Sequence, residues 1–115
     1  MNDWSDTTPI YVQLRERVLA QILEGALKPG DALPSVRQVA GEFAINPLTV
    51  SKAYQTLADE GVVEKRRGLG LFVMDGADRD VRVRERDRFL NEEWPEVVAR
   101  IRRLDLSADI LLRDL

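Results

Sequence analysis

The chain has 115 residues and a formal net charge of −3, and 44% of its residues are apolar. That length fits one domain, or one small domain with an appendage, and that apolar fraction suffices for a core. The sequence contains neither cysteine nor histidine, which excludes disulfides, thiolate metal sites and the commonest general base. We therefore expect no enzyme, no metal and no cofactor.

No apolar run approaches the roughly 18 residues that cross a bilayer, and the N-terminus lacks the features of a secretory signal. We therefore expect a cytoplasmic protein. Lys and Arg total 17 against 20 Asp and Glu, spread so that no segment is strongly basic. A basic strip on an acidic body can still bind DNA, because only the contacting face must match.

The first predicted helix begins near the N-terminus. Thr8 is its candidate N-cap and Pro9 its first residue. An apolar stripe then repeats at helical spacing and consists of Ile10, Tyr11, Leu14, Val18, Leu19, Ile22 and Leu23. Gly25 and the pair Pro29-Gly30 end this helix.

Two further helices follow with a very short turn between them. Ser35 and Gln38 form a capping box for a second helix, whose buried face is Val36, Val39, Ala40 and Phe43. Asn46-Pro47 begins a third helix, and Gly61 ends it. The core face of the third helix is Val50, Ala53, Tyr54 and Leu57. Two helices so joined are the helix-turn-helix signal.

The stretch at residues 62–73, VVEKRRGLGLFV, is either a phosphate-binding loop or a hairpin. A phosphate loop leaves a strand and opens a helix, whereas this loop joins two β-prone runs. We therefore predict a hairpin in which Gly68 and Gly70 supply unusual backbone angles. Lys65, Arg66 and Arg67 line one arm of this hairpin. Because the hairpin directly follows a helix-turn-helix, we predict that it is a wing that contacts DNA.

The solvent face of the third helix is the predicted recognition surface. It carries Leu48, Ser51, Lys52, Gln55 and Asp59, and the first four of these lie in the first turns, which reach base edges. Gln55 suits adenine, and Lys52 suits guanine or a phosphate. Leu48 has two interpretations, which are contact with a thymine methyl and packing against the second helix.

Two flanking residues also have two interpretations each. Thr49 borders the recognition face and is either a phosphate contact or an ordinary helix hydroxyl. Arg37 points outward from the second helix, where cations commonly hold the DNA backbone. Its alternative role is a surface ion pair with Glu42.

Residues 74–78, MDGAD, look like a linker between a winged helix-turn-helix domain at 1–75 and a helical segment at 79–115. The segment carries an apolar seam consisting of Phe89, Leu90, Trp94, Val97, Val98, Ile101 and Leu104. Pro95 either kinks one helix or begins another. Ser107 caps a last short helix that carries Ile110, Leu111 and Leu115.

The predicted fold class is mainly α with a small β-hairpin wing and a short C-terminal helical dimerisation tail. The tail is too short to enclose a ligand pocket of several hundred Å³ and also supply a core. Its seam packs either on the N-terminal domain or on a second chain. We favour a homodimer, because it would place two recognition helices about 34 Å apart, one DNA turn, on a pseudo-palindromic operator.

The segment Leu33–Val73, LPSVRQVAGEFAINPLTVSKAYQTLADEGVVEKRRGLGLFV, resembles the winged helix-turn-helix domain of GntR-family bacterial transcription regulators. Three motifs carry the resemblance: Leu-Pro-Ser-x-Arg, Asn-Pro-x-Thr-Val-x-Lys-Ala-Tyr and Arg-x-Gly-x-Gly-x-Phe-Val. The similarity covers nearly the whole chain and is strongest over 9–73. The short chain and small helical tail resemble the YtrA-like subfamily.

The resemblance implies a homodimeric repressor of its own or a neighbouring operon, often one that encodes an ABC transporter, released by an effector that the sequence does not name. It also implies DNA contacts from Ser35, Arg37, Thr49, Ser51, Lys52, Arg66 and Gly68. The rival hypothesis is a winged-helix module for protein–protein contact without a specific DNA target.

Overall fold

The computed structural model describes residues 4–115. Their elements, in chain order, are α1 (Ile10–Glu24), α2 (Val36–Phe43), α3 (Pro47–Asp59), β1 (Val63–Arg66), β2 (Gly70–Val73), α4 (Ala77–Arg88), a π-helical turn (Phe89–Glu93), α5 (Trp94–Arg103) and α6 (Ala108–Leu111). The prediction of a mainly α fold with a β-hairpin is confirmed. The chain forms two compact units, the first ending at Arg82 and the second beginning at Val83.

Helix α1 begins one residue later than predicted. Pro9 is the N-cap and makes no side-chain cap, so the assignment of Thr8 as the cap is wrong. The helix entry is held instead by Gln13, whose Nε2 donates to the Thr8 carbonyl at 2.6 Å. The Gln13 Oε1 accepts from the backbone N–H of Ser5 at 2.8 Å. A side chain from the first turn of the helix therefore replaces the cap.

The core of the first unit is built from α1, α2, α3, the hairpin and the first turns of α4. All four predicted core residues of α3 are buried, and Val50, Ala53 and Leu57 are fully so. From α1 the buried residues are Leu14, Val18, Leu19 and Ile22. Ile10 belongs to the same apolar stripe, but 38% of it is exposed, because it occupies the first position of α1 and borders a surface groove.

Helices α2 and α3 both begin at their predicted N-caps, and the turn between them is short. The Ser35 Oγ accepts from the N–H of Gln38 at 3.1 Å, and the Asn46 Oδ1 accepts from the N–H of Leu48 at 2.9 Å. Ala44 closes α2 in the left-handed region with a φ of 53°. Ile45 is buried, which fixes the turn on the core.

The wing is an antiparallel hairpin in which Val63 pairs with Val73 and Arg66 pairs with Gly70. A short segment before α2 adds a further pairing that the sequence did not predict. The Leu33 N–H donates to the Leu71 carbonyl at 2.8 Å, and the Val73 N–H donates to the Asp31 carbonyl at 2.9 Å. This segment forms a single bridge, which is too short to produce a period-2 pattern.

Tyr54 connects α3 to the same segment. Its hydroxyl donates to the Pro34 carbonyl at 2.7 Å, and its side chain lies in the core. Burial disfavours the phenolate and raises the pKa of Tyr54 from 10.0 to about 12. Helix α3 is also tied to α1 by Arg15, whose Nε and Nη2 each donate at 2.8 Å to one carboxylate oxygen of Glu60.

The second unit continues the helical run through the position of Pro95. The Trp94 N–H donates to the Phe89 carbonyl, five residues earlier, which makes the π-helical turn. Pro95 therefore stands in the first turn of α5 with no loop before it. Ser107 caps α6 as predicted, with its Oγ accepting from the Ile110 N–H, whereas Leu115 lies beyond the end of α6.

The helical pattern resumes at Ala77, two residues before the position expected from the charge pattern. Ala77 and Val81 are buried with the core of the first unit, which explains why α4 begins inside the predicted linker. Between residues 4 and 115, no helix has the length and apolar character that a membrane crossing requires.

We expect Tyr54→Phe to lower the free energy of unfolding by about 1 kcal/mol, because the Pro34 carbonyl loses its partner while the ring still packs.

The pKa of Tyr54 also predicts a loss of stability at alkaline pH. Because this pKa is higher in the folded protein, Tyr54 ionises at lower pH in the unfolded chain, so the wild-type protein should lose stability as the pH rises from 10.0 through about 12. The variant should lack this loss. Urea unfolding at neutral and alkaline pH measures both effects, and Tyr11→Phe is the control. An alkaline loss that persists in Tyr54→Phe would assign it to another group.

Candidate nucleic-acid interface

The exposed face of α3 is the centre of the candidate interface. Because Val50, Ala53 and Leu57 fill the core, the opposite side of the helix must face solvent. Leu48, Ser51, Lys52 and Gln55 are all exposed there, and Thr49 is half-buried beside them. Leu48 is 76% exposed, which rules out its packing against α2. Its contact with a thymine methyl stays a prediction.

A groove brings the recognition face together with the wing. Ser51 and Gln55 line it from α3, and Lys65 and Gly70 line it from the hairpin. The Gln55 Nε2 donates to the Asp59 Oδ1 at 2.8 Å, so the amide already has a partner on its own helix. Polar groups of α3 and of the wing therefore line one surface, together with the apolar side chains of Val36, Ala58 and Leu71.

A second groove lies between the first turn of α1 and the first turns of α3. It is lined by Pro9, Ile10, Tyr11, Leu48, Thr49 and Lys52. The Lys52 Nζ lies 4.1 Å from the centroid of the Tyr11 ring. A cation over an aromatic face is attracted to it, so Tyr11 holds Lys52 against the protein. From the sequence, Tyr11 was expected only as part of the apolar stripe of α1, because a contact between residues so distant in sequence leaves no local pattern.

The wing exposes its three cations. The Arg66 guanidinium carbon lies 4.3 Å from the centroid of the Phe72 ring, and the Arg66 Nε lies 3.3 Å from the Glu64 Oε1. Lys65 and Arg67 are exposed beside it. Gly68 and Gly70 have φ values of 75° and 109°, which confirms the predicted backbone role of these glycines.

Two predicted contacts lie on α2. Ser35 and Arg37 are exposed, but the Ser35 Oγ also serves as the helix cap, so only its remaining hydrogen-bonding capacity can reach a phosphate. Within residues 4–115, Arg37 makes no ion pair with Glu42, and that alternative is therefore wrong. Arg37 lines a shallow surface between α2 and the start of α3 with Ala40, Ile45 and Pro47.

The second unit has no core of its own. None of residues 83–115 is buried, and its apolar seam faces outward. Phe89, Leu90, Trp94, Val97 and Leu104 are exposed, and Val98 and Ile101 are half-buried. The Phe89 and Trp94 rings lie 6.2 Å apart. These apolar side chains, exposed side by side, form a candidate interaction surface.

Comparison with known proteins places this geometry among bacterial regulators. The family model "Bacterial regulatory proteins, gntR family" matches residues 10–73. The chain is 45% identical over 75 residues to the HTH-type transcriptional repressor YtrA of Bacillus subtilis (strain 168). This alignment covers 65% of the chain and 58% of that relative, so the match spans less than two thirds of the relative's length.

Two solved structures share the fold. One is YtrA from Sulfolobus acidocaldarius, a GntR-family transcription factor, with a TM-score of 0.61 and 34% identity over 90% of this chain and 94% of that chain. The other is AraR(DBD) in complex with operator ORX1, with a TM-score of 0.55 and 26% identity over 64% of this chain and 89% of that chain. The first similarity extends into the C-terminal helices, and the second is to a domain bound to DNA.

We predict that Arg66→Ala combined with Arg67→Ala weakens binding to every duplex and flattens its salt dependence. Each lost phosphate contact should reduce the slope of log K against log salt by about 0.9. Anisotropy titrations across a salt series measure this slope. Lys28→Ala, which removes a cation from the connection between α1 and α2, is the control and should leave the slope unchanged. An unchanged slope in the double variant would remove the wing from the interface.

Proposed function

The chain belongs to the GntR family of bacterial regulatory proteins, and we propose that it is a homodimeric repressor that binds operator DNA. GntR proteins are transcription regulators and not enzymes. The single observation that carries the proposal is the convergence of the exposed face of α3 and the wing on one groove. Recognition helices and wings bind DNA with surfaces arranged in this way.

The proposed contacts divide by chemistry. Leu48, Ser51, Lys52 and Gln55 face the bases from α3, where an apolar group suits a thymine methyl and an amide suits adenine. Phosphates are held by groups around this centre, namely Ser35, Arg37, Thr49, Lys65, Arg66, Arg67 and Gly68. Tyr11 supports the arrangement, since its ring restrains the Lys52 side chain at the edge of the recognition face.

The C-terminal helices supply the proposed dimer interface. Within α5 and its C-cap, the seam residues Trp94, Val97, Ile101 and Leu104 repeat at spacings of three and four residues, the pattern by which two helices bury one face against each other. No residue of the second unit is buried within one chain, so a second copy would supply the missing core. Two-fold symmetry then matches a pseudo-palindromic operator with half-sites about 34 Å apart.

Repression is supported by the similarity to a relative that carries that name. We propose that the chain represses its own or a neighbouring operon in the cytoplasm, with an operon for an ABC transporter as one class of target. Release requires an effector, and we place its site at the dimer interface. A ligand there would act by changing the spacing of the two recognition helices.

The decisive experiment is fluorescence anisotropy with a labelled duplex from upstream of the chain's own gene and a shuffled duplex, both titrated over a salt series. We expect tight, salt-sensitive binding to the native duplex only, since base contacts specify and phosphate contacts add a salt-dependent term. Equal, weak binding to both duplexes would place the operator elsewhere. No binding to either duplex would favour a protein-interaction module.

Dimerisation has its own test. Val97→Asp should separate the chains, because it places a carboxylate in the apolar seam, and light scattering should then report the mass of one chain instead of two. Binding to a two-half-site duplex should weaken by about 10²-fold or more as the second half-site contact is lost. Arg102→Asp, on the same helix, is the control. A wild-type protein with the mass of one chain would refute the proposed interface.

A further inference from the structure

Gln55, the residue best suited to read adenine, is held by another side chain of α3. Its Nε2 donates to the Asp59 Oδ1 at 2.8 Å, and the two residues are one helical turn apart on the exposed face. We propose that Asp59 is a positioning residue that fixes the orientation of the Gln55 amide and so determines which base Gln55 accepts. This inference rests on the proposed function, because it requires α3 to read DNA.

The chemistry of the pair sets the orientation. An ionised carboxylate only accepts hydrogen bonds, so the NH₂ group of Gln55 must face Asp59 and the carbonyl oxygen must point away. One hydrogen of the NH₂ group and the Oε1 atom remain free. These are the donor and the acceptor that adenine requires, for its N7 acceptor and its N6 amino group.

The same orientation disfavours guanine. Guanine presents two acceptors, O6 and N7, along the edge where adenine presents a donor and an acceptor. With the amide held by Asp59, the Gln55 Oε1 would face the O6 of guanine, and two acceptors would meet without a hydrogen. An amide released from Asp59 could instead turn both hydrogens of its NH₂ group toward O6 and N7. Asp59 therefore adds to the preference for adenine over guanine.

Asp59 can be replaced without weakening the helix that carries it. It is the last residue of α3, where the helix dipole disfavours a negative charge. Among residues 4–115, its side chain forms a hydrogen bond with Gln55 and with no other residue. Replacing the carboxylate with an amide therefore removes the orienting charge, keeps the shape and does not weaken the helix. Asp59→Asn lets the Gln55 amide adopt either orientation, since Asn both donates and accepts.

The experiment begins with duplexes that the wild-type protein selects from a random-sequence library. Gln55→Ala identifies the base pair that Gln55 reads, as the position where the preference for adenine over guanine is lost. At that position, Asp59→Asn should reduce the ratio of the two affinities by about fivefold or more. In the Gln55→Ala background, Asp59→Asn should leave the ratio unchanged, because the group that it orients is absent.

A general effect of charge is separated by a matched control. Glu42→Gln removes an exposed carboxylate from α2 without touching Gln55. Loss of a negative charge strengthens binding to all duplexes alike, so both Glu42→Gln and Asp59→Asn should raise overall affinity. Only Asp59→Asn should change the ratio between adenine and guanine.

Three results would overturn the inference in distinguishable ways. A ratio that is the same in Asp59→Asn and wild type would show that the carboxylate does not orient the amide. A preference that survives Gln55→Ala at every position would leave the regulator intact but give Asp59 nothing to position. A wild-type protein that selects no motif would overturn the proposed function together with this inference.

Discussion

The complete burial of one side of α3 is the constraint on which the rest of the structure depends. Val50, Ala53 and Leu57 have no exposed surface, and Tyr54 adds a hydrogen bond from the core to the Pro34 carbonyl. A helix anchored so firmly cannot rotate, because rotation would empty its place in a close-packed interior. The outward direction of its other face is therefore decided by the core, and recognition chemistry is placed on a rigid support.

The surface groups of the candidate interface are held before any ligand arrives. Lys52 lies on the Tyr11 ring, Arg66 lies on the Phe72 ring, and the Gln55 amide is bonded to Asp59. Long flexible side chains lose rotamer entropy when they bind, and a restraint in the free protein lowers that loss. Individually such exposed contacts stabilise the fold little. Their contribution to binding is that the restrained side chains lose less conformational entropy when a ligand is bound.

The two compact units differ in how they achieve stability. Among residues 4–115, the buried residues all lie in the first unit, between Leu14 and Val81. The apolar side chains of the second unit are exposed, and its helices are short. Without a surface to pack against, helices of this length are only marginally stable in water. The proposed second copy would cover that surface. Coupling folding of the tail to association would then make the dimer, not the chain, the stable species.

Much of this arrangement is local in origin and was therefore predictable. The caps at Ser35 and Asn46, the core face of α3, the glycine angles of the wing and the GntR motifs each depend on residues close in sequence, and all are confirmed. The predicted roles of the individual DNA contacts and of the seam stay predictions.

Tertiary structure alone decided features that join distant segments. These are the pairing of Asp31 and Leu33 with β2, the contact between Tyr11 and Lys52, and the solvent exposure of Ile10. The physical reason is that caps and periodic faces arise from hydrogen bonds and side-chain spacing within one or two turns. Contacts across the core depend on how complete helices pack, which no local pattern encodes.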